Sequence, residues 1–178
     1  EFTALKTSAG LMDLSNQTLI EVCGERARAF LQEVTTNDVS ALREGQGQRS
    51  FLLDKEGQLL DDVLVFRLGS SDGGDERYIM VTHDSKVRNW LHCLSDGYVV
   101  FDPEDIWAKI DGPVIVREFC ENIKGGEPCT GIAIEGPRAE EIVQRIEPSL
   151  GPLDGGRFIE TEMGGIKTLI TRTGYKDS

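Results

Sequence analysis

At 178 residues the chain has the length of one domain or slightly more, and its 39% apolar and 28% charged composition is globular. A chain of this size buries roughly 70% of its unfolded surface, which excludes a long repeat array, a disordered segment and a minimal disulfide-stapled scaffold. With 19 Lys and Arg against 31 Asp and Glu, the net charge of −12 repels duplex nucleic acid and anionic membranes, so neither is expected as a partner.

The opening, Glu1-Phe2-Thr3-Ala4-Leu5-Lys6, has no basic segment followed by an apolar one, and no apolar run approaches the roughly 20 residues of a bilayer crossing. A soluble chain without a leader is expected, with the cytoplasm as its location. Cys23, Cys93, Cys120 and Cys129 are widely spaced, with no Cys-x-x-Cys and only His83 and His92 as imidazole partners. Buried free thiols are expected in place of a metal site or disulfides.

Thr18-Leu19-Ile20-Glu21-Val22 predicts a strand, entered through the polar turn Asp13 to Gln17. Gly24 opens a helix over Glu25 to Val34, with Ala27, Phe30, Leu31 and Val34 at helical spacing, and Thr35-Thr36-Asn37-Asp38 stops it. Ser50 to Leu53 and Leu59 to Phe66 are strands joined by Asp54-Lys55-Glu56-Gly57, which supplies the glycine of a hairpin turn. Tyr78-Ile79-Met80-Val81 is a further strand. Asp84 or Ser85 caps a helix through Leu94, with Val87, Trp90, Leu91 and Leu94 on one face.

Tyr98 to Phe101 and Val114-Ile115-Val116 predict short strands, Thr130 to Ile134 a buried one, and the stretch from Asp102 to Cys129 has no assigned role. Pro137 opens a helix over Arg138 to Ile146. Phe158 to Glu162 and Ile166 to Thr171, around Met163-Gly164-Gly165, make a closing hairpin. Hairpins mixed with helices predict an α+β fold with mostly antiparallel sheets and packed helices, and each half places a helix between strands as duplicated β-α-β units would.

Asp61-Asp62 is the anomaly. Both faces of its strand are apolar: Asp61 shares parity with Leu59, Val63 and Val65, and Asp62 with Leu60, Leu64 and Phe66. At least one carboxylate must therefore leave water, an expensive choice without a use. The plain alternative is a pair at an exposed strand start that discourages edge pairing. A divalent cation on Asp54, Asp61 and Asp62 lacks a recognised loop spacing, and no metal site is expected. Arg49, Arg67, Lys167 and Arg172 flank strands and make a local site for a carboxylate ligand conceivable. Gly45-Gln46-Gly47 lacks the strand and the further glycines of a phosphate loop.

Taken in order, Ala9-Gly10-Leu11-Met12-Asp13-Leu14-Ser15, Gly24-Glu25-Arg26-Ala27-Arg28-Ala29-Phe30-Leu31, Thr36-Asn37-Asp38-Val39, Gly45-Gln46-Gly47, Glu56-Gly57-Gln58-Leu59-Leu60-Asp61-Asp62, Ile134-Glu135-Gly136-Pro137-Arg138-Ala139 and Thr171-Arg172-Thr173-Gly174-Tyr175 resemble the N-terminal portion of the glycine cleavage T-protein, or aminomethyltransferase, and its folate-binding relatives. The resemblance runs nearly end to end. It implies a T-protein-like folate-binding domain and transfer of a one-carbon unit from an aminomethyl group on a lipoyl-bearing carrier, similar to the glycine cleavage H-protein, to tetrahydrofolate. The family's catalytic aspartate falls on Asp62, where it would orient the folate, accept a proton and stabilise positive charge as ammonia leaves. Val81, Thr82, Arg49 and Tyr175 fall at positions implied to contact the folate.

The chain departs from the family at several points. Asp13-Leu14-Ser15-Asn16 stands for Asp-Val-Ser-His, Val81-Thr82-His83 for Val-Asn-Ala, and Arg49 for a tyrosine. Lys176-Asp177-Ser178 stands where Thr-Gly-Glu-Asp-Gly is usual. At about half the family's length, residues 1–178 correspond to an incomplete domain, with the later folate-binding part and the C-terminal barrel absent. Weak folate binding and no turnover by this chain alone are expected. The changes at Asn16 and Thr82 favour an alternative, a folate-binding relative without transferase activity involved in maintaining iron-sulfur enzymes. A non-catalytic interaction domain is the third reading.

Overall fold

The structure is a computed structural model describing residues 2–70, 74–96, 100–101, 109–110, 114–119 and 129–173. The chain forms two units, Gln17–Cys129 and a second that joins Glu1–Asn16 to Thr130–Ser178.

In the first unit the β-branched and aliphatic residues of β2 (Thr18–Cys23) form a strand whose Ile20 and Val22 point into the core. β3 (Gln46–Leu53), β4 (Leu59–Arg67), β5 (Arg77–Thr82) and β8 (Ile115–Glu118) join it in a five-stranded sheet of order β3-β4-β5-β2-β8. The hairpin between β3 and β4 turns where expected. Gly57 takes φ +79°, its N–H donates to the Asp54 carbonyl at 3.0 Å, and Asp54 Oδ1 accepts the N–H groups of Glu56 and Gln58. Gly47 lies beneath the Phe66 ring, so close that an added Cβ would sit 2.3 Å from Phe66 Cδ1.

One face of this sheet carries the core. α2 (Ala27–Val34) buries Ala27, Phe30 and Leu31, at i, i+3 and i+4, and α3 (Lys86–Asp96) buries Val87 and Leu91, against Val63, Val65, Tyr78 and Met80. Full burial of Phe30 or Leu31 contributes about 1.5–3 kcal/mol each. α2 ends as its sequence predicts: Thr35 donates from both N–H and Oγ1 to the Leu31 carbonyl. The Thr36 N–H then bonds the Phe51 carbonyl, which ties the helix exit to β3. β6 (Val100–Phe101) and β7 (Lys109–Ile110) form a small separate ladder. Tyr98, Trp107 and most of the stretch from Asp102 to Cys129 lie outside the described residues.

In the second unit, β1 (Gly10–Asp13) pairs with β9 (Ile132–Glu135), and β10 (Phe158–Met163) with β11 (Ile166–Thr171) through Gly164 and Gly165 at φ +59° and +85°. α1 (Phe2–Thr7) precedes them, a helix for which the sequence carried no periodic apolar signal. The buried strand expected at Thr130 to Ile134 is shifted and lies partly open, since β9 pairs with β1 alone among the described residues and Ile132 is exposed.

Each unit contains a like strand-to-helix turn, a likeness that the sequence did not reveal as a repeat. Gly24 and Gly136 take φ +115° and +124°, followed by Arg26 at φ −107°, ψ 12° and Arg138 at φ −103°, ψ 8°. The Ala27 N–H returns to the Gly24 carbonyl at 3.1 Å, and that of Ala139 to Gly136 at 3.0 Å, opening α2 and α4 (Ala139–Ile146) alike. Every ladder among the described residues is antiparallel, so the α+β, mostly antiparallel expectation holds. The thiols of Cys23 and Cys93 are free, but only Cys23 is buried; Cys93 is exposed and Cys129 half-buried, a correction to the expected burial, and Cys120 lies outside the described residues.

Candidate functional site

β4 lies between β3 and β5, and Asp61 and Asp62 pair with β3 on one side while standing just beyond the ladder to β5 on the other. The strand period sends its two carboxylates to opposite faces. Asp61 points with Val63 and Val65 to the core side and is 8% exposed. The ladder between β4 and β5 runs only over Leu64–Arg67, and Asp61 takes over where it ends. Its Oδ2 accepts the N–H groups of His83 at 2.9 Å and Asp84 at 3.2 Å, while Oδ1 accepts the Asp62 N–H at 2.9 Å. His83 Nδ1 lies 3.1 Å from the Asp62 carbonyl oxygen and its Nε2 lies 3.1 Å from Gln17 Nε2. Nδ1 also lies 3.5 Å from Asp61 Oδ1, so the ring spans Gln17, the Asp62 carbonyl and the Asp61 carboxylate.

Asp62 faces the other side of the sheet, with its side chain 36% exposed and Arg49 Nε 3.5 Å from Oδ1. Cross-strand register places Phe51 opposite Asp62, and beside them a row that crosses four strands: Arg49, Leu64, Val81 and Leu19. Phe51 is exposed, and Leu64, Val81 and Leu19 are half-buried. Among the described residues, Asp62 Oδ2 accepts no hydrogen bond. This face therefore offers a carboxylate with acceptor capacity to spare beside an apolar floor.

Of the residues singled out in the sequence, Arg49, Asp62 and Val81 share this face. Thr82 sits one position on, at the end of β5, and points to the core with no exposure, its Oγ1 donating to the Asp84 carbonyl at 3.3 Å. Tyr175 lies outside the described residues.

Farther along the same face is a cluster that the sequence reading missed. Glu21, 1% exposed on the interior strand β2, accepts Arg77 Nε and Nη2 on Oε1 at 2.9 and 2.8 Å, and Arg117 Nε on Oε2 at 2.7 Å. Burial pushes the Glu21 carboxyl up, but the Arg117 and Arg77 guanidinia more than offset it and hold the group below its ordinary value. Burial and the Glu21 charge together push the neighbouring Cys23 thiol up, which keeps it unreactive. A glutamate between Ile20 and Val22 in a strand was the available signal, of the same kind as Asp61-Asp62. A second cluster joins Glu76 to Arg28, Arg67 and Tyr78. An open depression of about 580 Å3 lies beside it, lined by Glu25, Arg26, Arg28, Gln32, Glu33 and Ser40. Among the described residues no three His, Cys, Asp or Glu side chains converge as metal ligands, and no helix is long and apolar enough to cross a membrane.

A family model for the GCVT N-terminal domain matches residues 1–177. The chain is 32% identical over 178 residues to an aminomethyltransferase of Chloroherpeton thalassium, covering 98% of this chain and 42% of that protein. It is 31% identical over 180 residues to the aminomethyltransferase of Bacillus subtilis, with the same two coverages. The crystal structure of glycine cleavage system aminomethyltransferase T from Bartonella henselae superposes with a TM-score of 0.65 at 21% identity, covering 89% of this chain and 37% of that one, a likeness of fold. The chain thus spans less than half the length of the curated relatives it matches.

Proposed function

Because this chain belongs to the GCVT N-terminal domain family, we propose that it forms part of a tetrahydrofolate-dependent aminomethyltransferase, with an aminomethylated lipoyl carrier of the glycine cleavage type as donor. The observation that carries this reading is Asp62, half-exposed, with an oxygen that accepts no hydrogen bond among the described residues, beside the apolar row of Leu64, Val81 and Leu19. Those residues suit a reduced pterin, whose flat ring asks for an apolar floor and whose N–H groups ask for a carboxylate acceptor. Asp62, Val81 and Arg49 would hold it on this face.

Tetrahydrofolate, when bound, supplies the amines that take up the one-carbon unit. Asp62 would accept an N–H from the ring, would stabilise as an anion the positive charge that develops as ammonia leaves, an effect strengthened by its partial removal from water, and would then take up the proton that the ring amine releases on bonding the one-carbon unit. Arg49, with its Nε 3.5 Å from Oδ1, holds the carboxylate toward the open face. Thr82 contributes at the core side, where its hydroxyl fixes the end of β5. A cytoplasmic location accompanies this reading, which the free thiols suit.

Calorimetric titration of tetrahydrofolate into this chain and its Asp62→Asn variant tests the proposal. Weak binding is expected, lowered about 10-fold in the variant by loss of a charged hydrogen bond. Methylene-tetrahydrofolate should form from an aminomethylated lipoyl carrier when the chain is joined to the remaining length of its relatives. Equal binding by both forms with no product would sink the transferase reading. Binding without transfer would turn the case to the iron-sulfur maintenance alternative, and no binding at all to an interaction domain.

A further inference from the structure

We propose that Asp61 is a positioning residue for the folate face, and that its buried carboxylate sets the aim of Asp62 and the exit path of β5; this rests on the function proposed above. Asp61 is more than nine-tenths buried, and its hydrogen bonds come from backbone N–H groups, Asp62 on one oxygen, His83 and Asp84 on the other, with the His83 ring Nδ1 3.5 Å from Oδ1. A buried anion is tolerated when its oxygens are filled this way. The carboxylate stands in for the ladder bonds that β4 and β5 stop making after Leu64 and Val81.

Three consequences follow from that placement. The Asp62 N–H is fixed, and the His83 Nδ1–H on the Asp62 carbonyl fixes the other side of the same residue, so the Asp62 backbone is held from both ends. Val81 is kept in register opposite Leu64 instead of fraying, because the chain just beyond it is pinned. Asp84 is set to cap α3 through its Oδ1 bond to the Lys86 N–H at 2.8 Å. The core-facing carboxylate of the pair thereby shapes the opposite, ligand-facing side of the sheet without touching the ligand.

Asn at this position is isosteric but has one acceptor oxygen in place of two. It can satisfy Asp62 or the pair His83 and Asp84, and presents an NH2 donor to the other. Two readouts on the full chain are needed: amide hydrogen exchange, and tetrahydrofolate affinity by calorimetry. For Asp61→Asn we expect exchange at His83 and Asp84, or at Asp62, to rise about 10-fold or more while the amides of β2 stay protected, and tetrahydrofolate affinity to fall about 10-fold. Val63→Ala, on the same strand and face, lowers global stability but should leave the affinity unchanged, which separates positioning from mere structural weakening.

Unchanged exchange at all three amides, or wild-type affinity in a folded Asp61→Asn variant, overturns the proposal. If wild-type protein binds no tetrahydrofolate, the functional reading fails by itself, and the exchange pattern alone decides whether Asp61 positions these residues. Should Asp61→Asn not fold, the wild-type chain decides: the Asp62, His83 and Asp84 amides should exchange at least 10-fold more slowly than exposed loop amides, and exchange as fast as theirs overturns the proposal.

Discussion

Replacing Glu21 with Gln removes a buried charge from the interior strand β2 while keeping its shape. In the wild type three charge-assisted bonds of 2.7–2.9 Å converge on a side chain that is 2% exposed. The amide keeps one neutral acceptor, which Arg77 retains, and turns an NH2 donor toward Arg117 Nε. Each charged hydrogen bond is worth roughly 1.5–3 kcal/mol, and breaking a buried pair from one side costs about 3–5 kcal/mol. Both arginines are about one-third exposed and recover hydration, so the lower part of that range applies, about 2–4 kcal/mol.

For a unit of this size such a loss lowers Tm by about 10 °C. The pH dependence gives a second handle. The folded Glu21 carboxyl lies below its ordinary value of 4.5, so its stabilisation is complete above that pH and is lost as pH falls through the folded value. Glu21→Gln should therefore unfold more readily at pH 7 and show a shallower loss of stability in acid. Urea unfolding followed by circular dichroism at pH 7 and at several acidic pH values measures both. A variant within about 0.5 kcal/mol of wild type at pH 7, with the same acid slope, would refute the idea that this triad supports the sheet.

Gly47→Ala should cost about 1–3 kcal/mol in the same unfolding assay, because the new methyl group meets the Phe66 ring at 2.3 Å and the ring must leave its place. A destabilisation under a few tenths of a kcal/mol would mean that Phe66 has room to move. Gly136→Ala combines a backbone conformation that side chains rarely adopt, φ +124°, with a Cβ 2.6 Å from the Ser8 carbonyl oxygen and 2.9 Å from Ala9 Cα, both of them backbone atoms. Limited proteolysis should show cleavage in the unit containing α4 while the five-stranded sheet stays resistant, and an unchanged digestion pattern would count against it.

What the sequence disclosed was mostly local. The β3–β4 hairpin was legible because Asp54 and Gly57 specify a turn, and α2 because its apolar spacing and its Thr35 stop agree. The candidate site was legible as an anomaly: two carboxylates in an apolar run. Which carboxylate is buried was not, because β4 is apolar on both faces and parity alone has no preferred side. Asp61 is the one that leaves water, and that follows from the turn at His83 and Asp84, a partner distant in sequence. Thr82 pointing inward has the same origin, since the register of β5 against β2 pairs it with Thr18. The Glu21 triad draws on three strands and needs the sheet order before it can be seen.

That sheet order has a consequence for how the protein is made. β2 leaves the ribosome first among the five strands but occupies an interior place, and its neighbours β5 and β8 are synthesised dozens of residues later. The nascent β2, with Ile20 and Val22 uncovered, has to wait for company, whereas β3, β4 and β5 follow one another as a simple meander that closes through short loops. The strands bearing Arg49, Asp61, Asp62 and Val81 can thus zip together early, and the buried acid at position 21 acquires its second guanidinium only once the last strand arrives.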